Sequence, residues 1–219
     1  MSRGFVHPFT CVIAGPSKSG KTIFLKKLLK TLHLYVYPCP QRIIWCYGVE
    51  NKEQMKSLRR CSRRIPIEFF HGLPPSNFVD SLSSKERSLI VLDDLMREVG
   101  KDSEMSSLFT RQSHHKNLSV IFIIQNLFHQ NRGMRDIRTS TDYWIICKNP
   151  TDKGQIQVMG RQIFPNWKKY LSTSFELATF RPYGYIVIDM TQEPNEEMRV
   201  TTGIFPPEVF FHFLPVNKK

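Results

Sequence analysis

Gly15-Pro16-Ser17-Lys18-Ser19-Gly20-Lys21-Thr22 carries every fixed position of the phosphate-binding pattern G-x-x-x-x-G-K-[ST]. The chemistry needs those types at that spacing. Glycines let the backbone close around an oxyanion so that successive N–H groups point at the α- and β-phosphates. The first turn of a following helix adds a favourable dipole. Lys21 can reach the β- and γ-phosphates, and the Thr22 hydroxyl can ligate Mg²⁺. An apolar run, Phe9 to Ala14, precedes the segment, and a helix-like run, Ile23 to Leu32, follows it. The bland alternative is a Gly/Ser-rich turn between strand and helix; the flanks favour a nucleoside triphosphate site.

Two further segments end in polar chemistry. Ser88-Leu89-Ile90-Val91-Leu92-Asp93-Asp94 is an apolar run closed by two carboxylates, the form of a Walker B strand. Such a strand would deliver Asp93 to the sheet edge beside the phosphate loop, there to hold the Mg²⁺ shell. Asp94 would then face the γ-phosphate and orient or deprotonate the attacking water. The competing account is a core strand whose two acids cap the next helix. Ser119-Val120-Ile121-Phe122-Ile123-Ile124-Gln125-Asn126 is again an apolar strand ending in amides. Gln125 could sense the γ-phosphate and the lytic water, or simply satisfy backbone groups at a strand end.

These groups must be carried by a sheet. Strand-like runs fall at Phe9–Ala14, Arg42–Tyr47, Ile67–Phe70, Ser88–Leu92, Ser119–Ile124, Tyr143–Cys147 and Tyr185–Asp189. Several are continuous Val/Ile/Leu/Phe runs, as expected of parallel strands buried on both faces. Helix-like segments alternate with them at Ile23–Leu32, Lys52–Arg60, Asn77–Leu82, Ser103–His114 and Asn166–Ala178. The alternation predicts one α/β domain over residues 1–219, with a mostly parallel central sheet flanked by helices. Its core would run from about residue 9 to 190, with a C-terminal extension over 191–219.

Composition bounds the partners. The 219 residues carry 31 Lys+Arg against 19 Asp+Glu, a formal net charge of +12. That excess suits a polyanion, nucleic acid before an acidic membrane surface. No apolar run is long enough for a membrane span, and the N-terminus lacks a signal-peptide core, so the expectation is an intracellular, non-secreted protein with no membrane partner. Five cysteines without CxxC spacing predict neither a disulfide framework nor a zinc site. His114 and His115 are adjacent, so on a helix they would diverge by ~100° and make a poor metal pair. Arg59-Arg60 with Arg63-Arg64 is the densest cationic cluster, ahead of Lys26-Lys27-Lys30 and Lys168-Lys169. Trp45, Trp144 and Trp167 have apolar neighbours and read as core rather than as base-stacking platforms.

Taken together, the phosphate loop with Pro16, the Leu92-Asp93-Asp94 ending and the Gln125-Asn126 strand end resemble the DNA-packaging ATPases of the FtsK/HerA superfamily. The likeness is to those of large double-stranded DNA viruses of the poxvirus type and of Maverick/Polinton or adintovirus-like elements. Phe109-Thr110-Arg111, Leu127-Phe128-His129-Gln130, Lys148-Asn149-Pro150, Arg161-Gln162-Ile163-Phe164-Pro165 and Arg181-Pro182-Tyr183-Gly184-Tyr185 extend it over about Phe9 to Pro207. The resemblance implies a P-loop NTPase of the additional-strand (RecA/FtsK-HerA-like) type. It further implies ATP and Mg²⁺ as cofactors, a homo-oligomeric ring, double-stranded DNA as the translocated partner and a capsid or portal to receive it. The place of action would be a viral assembly site in host cytoplasm or nucleus. Ring ATPases of this superfamily complete the site with an arginine from the neighbouring subunit; Arg111 is the candidate, with Arg135, Arg138 and Arg161 behind it. Another DNA-translocating or helicase-like ATPase of the superfamily, a small-molecule or nucleotide kinase, and an ATP-binding assembly protein without turnover stay open. A GTPase does not fit, because Lys148-Asn149-Pro150-Thr151-Asp152 has the wrong order for an Asn-Lys-x-Asp base reader.

Overall fold

In each apolar run, successive side chains must face opposite ways, so a strand without polar alternation needs cover on both faces. A computed structural model describes residues 4–74, 76–95, 116–127 and 132–216, except for the side chains of 76 and 132–135, and provides that cover. Its strands are β1 (Phe5–Val6), β2 (Thr10–Ala14), β3 (Val36–Tyr37), β4 (Arg42–Tyr47), β5 (Ile67–His71) and β6 (Ser88–Asp93), then β7 (Leu118–Ile124), β8 (Tyr143–Cys147), β9 (Tyr185–Asp189), β10 (Val200–Thr202) and β11 (Phe211–His212). β1 and β3 form a separate parallel pair; the other nine make one sheet in the order β11-β10-β9-β8-β2-β7-β6-β4-β5.

From β8 across to β5 every neighbouring pair is parallel. β9, β10 and β11 then continue the sheet antiparallel. The mostly parallel sheet expected from the sequence is therefore present, with an antiparallel flank that includes residues 200–212. β7 lies between β2 and β6, hydrogen-bonded to both, and this is the added strand of the additional-strand type.

The helices are α1 (Lys21–Lys30), α2 (Leu32–Tyr35), α3 (Lys52–Cys61), α4 (Ser76–Ser81), α5 (Arg132–Thr139), α6 (Gly154–Ile163) and α7 (Tyr170–Ala178). α1 presents Phe24, Leu25, Leu28 and Leu29 to one sheet face, among Ile13, Ile43, Leu89 and Ile121. Ile156 of α6, Leu171 and Phe175 of α7 pack on the other face with Val12, Ile44, Ile90 and Phe122. Leu25 has no exposed surface, so truncating it to Ala would cost about 2–5 kcal/mol.

The helices depart from expectation at several places: α5 and α6 match none of the expected segments, and α2 extends past the first. α6 carries Gly154 and Gly160, whose low helix propensity hides it from pattern reading. A Cβ at Gly160 would lie 3.1 Å from Leu171 Cβ, so that glycine lets α6 approach α7. α7 begins at Tyr170 rather than Asn166, because Phe164–Trp167 and Trp167–Tyr170 close three-residue turns first. The segment Ser103–His114 and the pair His114-His115 lie outside the described residues.

Candidate nucleotide site

Because β2, β4, β6, β7 and β8 run parallel, their carboxyl ends meet at one edge of the sheet, where α/β proteins place ligands. β2 ends at Ala14 and the phosphate loop follows at once. Gly15 adopts φ +155° and Gly20 φ +111°, with Lys18 at φ 63° between them. A Cβ on Gly15 would meet Ser19 Oγ at 2.7 Å and Cys147 Cβ at 2.9 Å. Its amide donates to the Ile124 carbonyl at 3.2 Å, anchoring the loop to β7.

The loop hands the chain to α1 with its first amides free of intrahelical partners. The first α1 bond is Phe24 N–H to Gly20 C=O at 2.9 Å, so the amides of residues 20–23 have no acceptor within the helix. No side chain caps this end, and its first turn holds no acid. That leaves an uncapped positive helix terminus behind a loop of glycines, an anion cradle. Lys21 Nζ lies folded across it, donating to Gly15 O at 2.5 Å and Pro16 O at 2.8 Å. Burial lowers the Lys21 pKa, opposed by the nearby Cys147, Asp93 and Asp94. Thr22 follows in the first turn, half-buried, while Ser17 and Lys18 are exposed. Ser19 Oγ is buried beside the Cys147 thiol with no oxygen or nitrogen partner among the described residues.

Across β7, the carboxylates close β6. Asp93 is half-buried, and its Oδ2 accepts from Gln54 Nε2 at 3.0 Å. Burial raises its pKa, Asp94 pushes it further up, and the Gln54 bond, Lys21 and the Trp45 indole pull it back. Asp94 is exposed and holds a left-handed backbone, φ 57°, costing on the order of 1–3 kcal/mol. Its Oδ1 accepts from Gln125 Nε2 at 3.1 Å, so the second acid and the strand-end amide form one unit. Gly48, after β4, makes room for this turn: a Cβ there would lie 2.8 Å from the Asp94 carbonyl.

The geometry thus brings together the cradle, Lys21, Thr22, Asp93, Asp94 and Gln125. It also recruits residues that pattern reading missed. Gln54 is the third residue of α3, whose N-cap Asn51 accepts from the Gln54 amide at 2.9 Å. Asn-x-x-Gln is a capping-box spacing, but this glutamine side chain reaches Asp93 instead. Trp45 and Trp144 are buried as expected, and Trp45 has the added partner Asp93.

A second missed feature is a cavity of about 600 Å³ beside the start of α1. Gly20, Ile23 and Lys27 form one wall, and Phe180, Tyr183 and Val209 belong to the wall facing it. Tyr183 reaches the phosphate loop because β9 runs antiparallel to β8, so its beginning lies at the same edge as the end of β8. A Cβ on Gly20 would be 3.1 Å from Tyr183 Cβ. Lys27 pairs with Glu208, which also accepts from the Tyr185 hydroxyl, tying the chain after β10 to α1.

Of the arginines, Arg111 lies outside the described residues, as does the side chain of Arg135. Arg138 donates to Gln162 Oε1 at 2.9 Å, and Arg161 Nε to Gln157 O at 3.4 Å. All five cysteines are free thiols, and burial pushes Cys46 up to about 12 and Cys147 up to about 11. No cluster of three or more His, Cys, Asp or Glu able to hold a metal is present among the described residues. No described helix is long and apolar enough to cross a membrane.

No family model and no curated protein sequence matches the chain. Solved structures do. The genome packaging NTPase B204 of Sulfolobus turreted icosahedral virus 2, in complex with sulfate, is 13% identical, with a TM-score of 0.54 over 96% of this chain and 98% of that one. The same NTPase in complex with ATP-gammaS is 16% identical, with a TM-score of 0.56 over 92% of this chain and 98% of that one. The cytoplasmic domain of the type VII secretion ATPase EccC of Thermomonospora curvata is 12% identical, with a TM-score of 0.55; the match takes in 95% of this chain but 26% of that one. At such identities the likeness is one of fold. The chain has the P-loop NTPase fold of the additional-strand type, with the phosphate-binding pattern at the end of β2.

Proposed function

We propose that this chain is an ATPase that moves double-stranded DNA, packaging a viral genome into a capsid. The observation that carries the reading is the meeting of Lys21 and Thr22 with Asp93, Asp94 and Gln125 at one sheet edge, across the added strand β7. The residues fit a triphosphate with its metal: an uncapped cradle with a lysine already inside it, a hydroxyl next to it, and a half-buried carboxylate opposite. Thr22 and Asp93 are the ligands the chain would offer Mg²⁺, which when bound supplies positive charge to the β- and γ-oxygens.

In this reading Lys21 leaves the Gly15 and Pro16 carbonyls for the phosphate oxygens. Gln54 and Trp45 hold Asp93 in place. Gln125 grips Asp94 Oδ1, which leaves Oδ2 to take the proton of the attacking water. The cavity walled by Ile23 and Tyr183 is the seat for the nucleobase, its volume being that of a small-molecule site. The end-to-end likeness of fold to a viral genome packaging NTPase and the net charge of +12 support DNA as the cargo. A homo-oligomeric ring, with Arg111 acting across subunits, a capsid or portal as receiver and a viral assembly site in host cytoplasm or nucleus complete the proposal. The likeness to a secretion ATPase supports a second reading, a translocating ATPase with a different cargo.

The test is steady-state ATP turnover with and without duplex DNA. Turnover that rises with duplex and vanishes in Lys21→Ala is expected. Turnover indifferent to DNA would reject the DNA motor, and a fully active Lys21→Ala would reject the site.

A further inference from the structure

At the opposite edge of the sheet, the starts of β6, β4 and β5 lie side by side, beneath the last turns of α1 and α3. Their approaches line a groove of about 740 Å³. Its basic side chains are Lys30, His33, Arg60, Arg63, Arg64 and Arg87, and no carboxylate is among the described residues that line it. In a chain with 31 Lys+Arg and 19 Asp+Glu, five charged side chains drawn at random would all be cationic only about one time in eleven. None of the six is within ion-pair distance of an acid among the described residues, whereas Lys27, Arg42, Lys116 and Lys153 each have one.

Helix dipoles explain part of this. Lys30 and Arg60 belong to the last turns of α1 and α3, where a cation is favoured. They do not explain Arg63 and Arg64, which lie beyond α3, or Arg87, which precedes β6. Arg87 is fixed by the segment that precedes β4: its Nε donates to Cys39 O at 2.8 Å, and its carbonyl accepts from the Gln41 amide at 2.7 Å. Lys30, His33, Arg60, Arg63 and Arg64 are exposed.

The geometry points to this groove as a seat for the phosphate backbone of duplex DNA, on the far edge of the sheet from the nucleotide. Six basic side chains around one groove are more than a single phosphate needs, which suits a repeating anion better. From β6 through β4 to β5 is ~10 Å at the usual strand spacing. Over that length one DNA strand offers about three phosphates. Strand length separates this contact from the triphosphate by ~20 Å, so the two anions do not compete. The inference rests on the DNA reading above and assigns that reading a surface.

The experiment measures binding of a short fluorescein-labelled duplex by anisotropy, without nucleotide, across a salt series. The proteins are wild type, the triple variant Arg60→Gln/Arg63→Gln/Arg64→Gln, and Lys168→Gln/Lys169→Gln as a control at exposed lysines outside the groove. Each lost phosphate contact should reduce the log–log salt slope by ~0.9, so the triple variant should lose ~2.7 and bind roughly 10²–10³-fold more weakly at ~0.1 M salt. The control should keep the wild-type slope, and basal ATP turnover should survive in both variants. A triple variant with the wild-type slope would overturn the groove while leaving the DNA reading standing. Equal slope losses in both variants would also overturn it, as would weakened binding of poly-glutamate with duplex binding intact, which would mark an acidic protein partner. A wild type that binds no duplex would sink both readings.

Discussion

Gly15→Ala is the substitution on which the loop geometry makes its sharpest demand. The backbone there has φ +155°, and the new methyl would lie 2.7 Å from Ser19 Oγ and 2.9 Å from Cys147 Cβ. Unfavourable backbone costs on the order of 1–3 kcal/mol. Overpacking against two fixed neighbours costs about as much again, giving a loss of roughly 2–6 kcal/mol. Part of that should be recoverable. Ser19 Oγ is buried without an oxygen or nitrogen partner, so Ser19→Ala alone should be neutral or stabilising by up to ~1 kcal/mol. In the double variant the clash with Ser19 Oγ is gone, leaving the Cβ of residue 19 at 3.4 Å, while that with Cys147 remains, so a coupling of ~0.5–1.5 kcal/mol is expected, favouring the pair. Urea unfolding of the four proteins measures the cycle, and triphosphate affinity by calorimetry should fall with Gly15→Ala and partly return in the double variant. A single variant within ~0.5 kcal/mol of wild type, or a cycle without coupling, would refute the reasoning.

The acids should separate by role. Asp94→Asn should keep Mg²⁺ and ATP bound while turnover drops by ~10²-fold or more; Asp93→Asn should weaken Mg²⁺-dependent binding, and identical defects in single-turnover and binding assays would void the division. Burial raises the Asp93 pKa, so its contribution to stability is present below the ordinary carboxylate range and is lost as pH rises through the raised value. Asp93→Asn should accordingly raise the metal-free protein's melting temperature near neutral pH, with the gap closing in acid, while wild-type Mg²⁺ affinity falls as pH drops through that same raised value. Tyr183→Ala should weaken ATP binding by roughly 10-fold and leave inorganic triphosphate binding unchanged, consistent with a stacking contact of ~1–3 kcal/mol; equal loss for both ligands would remove the cavity as the base seat.

The elements that sequence makes legible are those in which one local pattern decides the outcome. Ser88–Asp93 and Leu118–Ile124 announce themselves because burial on both faces leaves no polar alternation to misread. The phosphate loop is legible because only glycine tolerates φ +111° at residue 20 at no steric cost. Gln54 is not legible, since its amino-acid type is spent on a capping-box spacing and its partner arrives from a different strand. Tyr183 is hidden for a topological reason: local sequence does not say that β9 turns antiparallel, and only that reversal brings residue 183 to Gly20. α6 is masked by two glycines, one of which serves a neighbour's packing rather than its own helix.

The Lys27–Glu208–Tyr185 tie has a thermodynamic corollary. The chain after β10 is fastened to the same helix that begins at the phosphate loop. Any contact that holds this segment more firmly in one arrangement therefore biases nucleotide affinity, and bound nucleotide must bias that contact by the same factor. If the contact comes from a neighbouring copy, ATP affinity becomes a function of protein concentration. Titrations on either side of assembly would then yield two dissociation constants whose ratio is also the ratio of assembly constants with and without ATP.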